Sequence, residues 1–143
     1  MAPPIGTPED RAALRAAVKD GLLMFATDHA PHSAAAKSGG FASAANGICG
    51  LEIAIAATWK AMVEEEGMDR DAWAEAWWRK PRAILSPLAQ SAMELTPRTT
   101  HLETDAPWRF DPEASASLSR NSPYGGMEFS CRPAADVDGK ERI

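Results

Sequence analysis

LLMFATDHAPHS, Leu22 to Ser33, joins a continuous apolar run to a cluster of one carboxylate and two imidazoles, and its reading decides the fold. The run LLMFAT, Leu22–Thr27, is short, unbroken and bounded by turn residues, as expected of a strand buried on both faces of a parallel sheet. The segment upstream, TPEDRAALRAAVKDG, predicts a helix. Thr7 can cap it, Pro8 suits the first helical position and Asp10 the third; Ala13, Leu14, Ala17 and Val18 then recur on one face until Asp20 and Gly21 stop it. A helix delivering a buried strand indicates an α/β fold. Asp28 then falls at the carboxyl end of that strand, the edge where β/α barrels place their chemistry, with His29 and His32 on the loop above it.

Beyond the cluster, DHAPHSAAAKSGGFASAANG is far longer than the ~4–6 residues of an ordinary connection, which marks it as a functional or mobile loop. ICGLEIAIAATWKAMVEEEG, Ile48 to Gly67, predicts an amphipathic helix with Leu51, Ile55, Trp59 and Val63 on its buried face. A second helix is expected over Asp71 to Arg79, with Trp73, Ala76 and Trp77 on one face, and core or interface packing is expected of Trp73, Trp77 and Trp78 rather than a stacking platform. Pro81 opens a further turn through Leu85. From Ser86 to Ile143 the sequence is dense in Pro, Ser, Thr and Asp and lacks periodicity, so extended segments and loops wrapped on the rest are expected, with a weak turn at Asp138–Gly139. The chain therefore divides at 1–85 and 86–143.

At 143 residues the chain holds one ordinary core and not two. Its net charge of -5, with no block of Lys and Arg, speaks against a nucleic-acid surface. Apolar windows are interrupted well short of the ~20 residues that span a bilayer, and MAPPIGTPEDR has no signal-peptide pattern. A cytoplasmic location is the expectation. Cys49 and Cys131 match no metal or redox spacing and are expected to be reduced, half-buried thiols.

Asp28 and the histidines allow two readings. Carboxylate and imidazole suit zinc, but a zinc centre needs three or four protein ligands and Asp28 with one histidine supplies about two. Asp, His and Pro together are also ordinary turn material. A nucleophile arrangement fits less well, since Ser33 lacks a GxSxG elbow and Cys49 has no supporting context.

MAPPIGTPEDRAALRAAVKDGLLMFATDHAPHS resembles the region of dihydroorotases that leads into the eighth strand of their barrel, and NGICGLEIAI resembles the helix start that follows. DHAPH is specific to that family among amidohydrolases. KPRAIL, DAPWRFDP and SRNSPYGG resemble later parts of the same family, up to its C-terminal tail. The resemblance implies the C-terminal part of a β/α (TIM-like) barrel with an irregular, partly extended tail. It also implies a zinc-dependent cyclic amidohydrolase that interconverts dihydroorotate and carbamoyl aspartate in pyrimidine synthesis.

By the same resemblance Asp28 is the catalytic and metal-binding carboxylate, which carries a proton to the ring nitrogen. His32 helps bind the substrate carboxylate, and the backbone at Asn46 and Gly47 contacts the substrate ring. His29 is a supporting residue. The family's HxH motif, carbamylated lysine and two further histidine ligands would lie upstream of Met1, and His101 matches none of them. Ala2 and Gly6 stand where an asparagine and an arginine are common, and no glycine-rich turn or ADLV-like strand is legible around PLAQSAMELTPRTTHLE. The expectation is a part that needs a complementing chain or segment to act. The alternatives are a non-catalytic dihydroorotase-like remnant that packs against a partner, or a decayed gene product without function.

Overall fold

Helix α1, Pro8–Lys19, forms where the sequence predicts it. The Thr7 hydroxyl accepts from the Asp10 amide, the Asp10 carboxylate accepts from the Thr7 amide, and Pro8 occupies the first turn, so the otherwise unpaired first-turn donors are closed off. The computed structural model describes residues 1–89 and 100–134. One-turn α2, Ala34–Lys37, is capped by Ser33. Helix α3, Ala54–Thr58, runs on as a π-helical stretch, Trp59–Glu64, and is followed by α4, Arg70–Trp77, and α5, Arg79–Ala89. Four very short strands follow: β1 Leu102–Glu103, β2 Trp108–Arg109, β3 Glu128–Phe129 and β4 Arg132–Pro133. They make two antiparallel pairs, β1 with β4 (Leu102 opposite Pro133) and β2 with β3 (Trp108 opposite Phe129).

Two predicted elements come out differently. Leu22–Thr27 is not a strand: the Leu22 and Leu23 amides bond back to the Ala17 carbonyl of α1, the Phe25 amide bonds to the Ala76 carbonyl, and the one parallel bridge, His29 with Ile48, lies just beyond the run. A buried parallel strand requires a neighbour along each edge, and none lies beside this run among the described residues, so Leu22 is left 77% exposed. The expected Ile48–Gly67 helix begins only at Ala54, after a turn over residues 51–53. Of the expected face, Trp59 is buried, Ile55 and Val63 are partly buried against the core and Leu51 is exposed; Ile53, just before the helix, Ala56 and Met62 are buried as well. The Asp138–Gly139 turn lies outside the described residues.

The main core gathers Val18 of α1, Trp59 and Met62 of the π-helical stretch, Trp73 and Ala76 of α4, Met68 from the connection before α4, and Cys131 from the tail. Trp59 and Trp73 meet edge to face with centroids 5.2 Å apart, and Arg70 covers the Trp59 ring. A second cluster joins Ile53 and Ala56 to Phe110 and Phe129. Residues 100–134 are thus mostly irregular but packed, because Phe129 and Cys131 are anchors inside the helical layer. Among the described residues the architecture is mixed helix and small sheet, without a closed barrel, and no helix is long and apolar enough to cross a membrane.

Candidate functional site: the loop after Asp28

Asp28 is the one non-glycine residue described with positive φ, 44°. Asp tolerates that region better than most residues, and here it turns the chain from the apolar run into the His29–Ile48 bridge. Its side chain is exposed and lines a groove of about 880 Å³, together with Ile5, Phe25, Ala57, Met62 and Tyr124. No hydrogen bond joins it to His32, Asn46 or Gly47 among the described residues.

The other expected residues do come together. The His32 backbone amide donates to the Ser119 hydroxyl at 3.3 Å, and its Nε2 lies 2.7 Å from the Asn46 carbonyl oxygen. Nε2 must carry a proton there, since a carbonyl can only accept. Gly47 is buried at φ 106°, and a Cβ on it would stand 2.4 Å from the Ala30 Cβ. Only glycine fits at that close approach. Its carbonyl accepts from both Lys37 Nζ and Asn121 Nδ2, each at 2.8 Å.

His29 acts structurally. Its Nδ1 lies 3.3 Å from the amides of both Gly50 and Leu51 and accepts from them, so the imidazole holds the turn that starts the following helix. Sequence reasoning assigned nothing to Lys37, Ser119 or Asn121. Lys37 is nevertheless the lone charged side chain between Ser33 and Leu51, an isolated cation in a neutral loop, and that signal could have singled it out. Ser119 and Asn121 are brought in from the distant tail, which also receives the Cys49 amide on the Asn121 carbonyl at 2.8 Å.

As a metal site the arrangement is incomplete. No group of three or more His, Cys, Asp or Glu side chains able to hold an ion occurs among the described residues. His101 sits exposed just before β1.

No family model matches the chain. Individual relatives do. A dihydroorotase of Syntrophotalea carbinolica is 36% identical over 144 residues, 98% of this chain and 33% of the relative. Dihydroorotases of Anaeromyxobacter dehalogenans (37% identical, 97% of this chain and 32% of the relative) and Streptomyces coelicolor (36%, 96% and 35%) show the same relation. The chain spans about a third of the length of the curated relatives it matches. The loop motif and this near end-to-end similarity lead to one conclusion: the chain is a relative of the dihydroorotases, resembling their C-terminal part.

Proposed function

We propose that this chain supplies the closing part of a zinc-dependent dihydroorotase, a cytoplasmic enzyme of pyrimidine synthesis that interconverts dihydroorotate and carbamoyl aspartate. In this reading residues 1–85 are the last units of the barrel and 86–143 its tail. The observation that carries it is the junction of His32 with Asn46 and Gly47, residues far apart in the loop and gathered at one place. Hydrolysis adds water across the ring amide, breaks the C–N bond and leaves a proton on the former ring nitrogen; ring closure reverses each change. An exposed carboxylate such as Asp28, held by its backbone at the end of an apolar run, suits the exchange of that proton. The polar groups of His32, Asn46 and Gly47 suit the substrate's carboxylate and ring. Zinc does not fit this donor set by itself, so Asp28 is proposed as one ligand of a centre completed by another segment or a complementing chain.

A chimera tests the reading: the dihydroorotase of Syntrophotalea carbinolica with its matching third replaced by this chain. Turnover is expected, falling about 10²–10⁴-fold in Asp28→Asn. A folded, metal-loaded chimera without turnover would instead favour the remnant that packs against a partner. The exposed apolar side chains of Ile5, Leu14 and Leu22 favour that second reading.

A further inference from the structure

Three consecutive carbonyls in the loop are each taken by a side-chain donor. Lys37 Nζ donates to the Ala45 carbonyl at 2.5 Å and to the Gly47 carbonyl at 2.8 Å. His32 Nε2 donates to the Asn46 carbonyl between them, and Asn121 Nδ2 gives the Gly47 carbonyl its second bond. A carbonyl oxygen has two lone pairs, so the Gly47 acceptor is saturated. Lys37 is only partly exposed and has no carboxylate within ion-pair distance among the described residues. Its charge is therefore solvated chiefly by peptide dipoles, an arrangement that holds those dipoles tightly.

In a planar trans peptide the N–H points opposite the C=O. With the Ala45 carbonyl turned to Lys37, the Asn46 N–H faces away from the ammonium. With the Asn46 carbonyl turned to His32, the Gly47 N–H faces away from the imidazole. Neither N–H has an acceptor among the described residues.

We propose that Lys37 and Asn121 are positioning residues: Lys37, through the Ala45 carbonyl, presents the Asn46 N–H as a donor to an acceptor oxygen of the substrate, and both residues pin the Gly47 carbonyl, holding Gly47 in place while His32, through the Asn46 carbonyl, orients the Gly47 N–H. The inference rests on the dihydroorotase reading for the identity of that substrate. It also accounts for the tail's place in the fold. Asn121 accepts the Cys49 amide and donates to Gly47, and Ser119 accepts the His32 amide, so one tail segment stitches both sides of the loop.

The test uses the full chain in solution, by NMR. In Lys37→Met and Asn121→Ala, the Gly47 carbonyl carbon signal should move and exchange of the Ala30 and Cys49 amides should quicken about tenfold or more. Exchange within α4 and the denaturant midpoint should stay as in the parent. Lys37→Arg, which keeps a cationic donor, should restore both signals. Unchanged exchange at Ala30 and Cys49 would overturn the proposal. Equal quickening at every amide with a lower midpoint would overturn it too, since the pair would then only stabilise the fold. Titration of the chimera with L-dihydroorotate checks the functional reading separately. Binding lost with the clamp intact counts against the substrate assignment, and binding kept with the clamp absent counts against the positioning role.

Discussion

Cys131 is fully buried against Trp59 and Met62 in the core, and burial with the nearby Glu64 carboxylate pushes its thiol up to about 11. A thiol that stays protonated is a poor nucleophile, so iodoacetamide at pH 8 should label Cys131 only after denaturation. The folded thiol binds its proton more tightly than the unfolded one. The resulting stability is present below the ordinary value of 9.0 and is lost as pH rises toward about 11, so the denaturant midpoint should fall over that window and hold steady in Cys131→Ala. Gly47 makes a different demand. Gly47→Ala would add a Cβ 2.4 Å from the Ala30 Cβ at φ 106°, and a loss of about 2–4 kcal/mol in urea unfolding is expected. Adding Ala30→Gly should recover part of it by removing the contact but not the backbone strain. The glycine was legible in the sequence only as part of a motif; the reason for it, a close approach across the loop, needs the folded chain.

Thr58, where α3 passes into the π-helical stretch, shows how elements here depend on single side chains. Its hydroxyl donates to the Ala54 carbonyl at 2.8 Å and accepts from the indole N–H groups of Trp77 (2.9 Å) and Trp73 (3.3 Å). One proton and two lone pairs are all in use. Thr58→Val keeps the shape and leaves two indole donors unpaired, at about 1–3 kcal/mol each where burial is complete. A drop in thermal midpoint is expected, with recovery in Thr58→Ser; an unchanged midpoint in the valine variant would mean that water serves both indoles. The same region explains which elements could be read in advance. Caps are local chemistry, so α1 with Thr7, Pro8 and Asp10 was legible, and so was the inward line Trp73, Ala76 and Trp77 of α4. The face of the preceding helix was legible in part: Trp59 is buried and Ile55 and Val63 pack partly against the core, while Leu51 is exposed. The deepest burial follows Ile53, Ala56, Trp59 and Met62, three residues apart, a line that the spacing of Leu51, Ile55, Trp59 and Val63 crosses only at Trp59. Leu22–Thr27 reads as a strand because its composition is that of one, but a ladder is a property of neighbours.

At the scale of the whole molecule, what the chain can do by itself is set by how many donors it brings to one point. Zinc asks for three or four protein ligands. His29 uses Nδ1 to accept the Gly50 and Leu51 amides, and His32 commits Nε2 to the Asn46 carbonyl. A metal would have to break these contacts or use the opposite ring nitrogens, and no third side chain converges with Asp28 among the described residues. The isolated chain should therefore bind zinc weakly and below one equivalent after dialysis, and should not cleave dihydroorotate at a measurable rate with or without the ion. Tight one-to-one binding that disappears in both Asp28→Asn and His32→Ala would mean that the loop rearranges into a centre of its own. Zinc-dependent turnover abolished by Asp28→Asn would show that the chain needs no complement. The expected pair of results, weak zinc alone and turnover only in the chimera, would separate the two contributions. The loop is built by this chain through Lys37, His32 and Asn121; that outcome would assign the metal centre to this chain and the rest of the chimera jointly, as proposed.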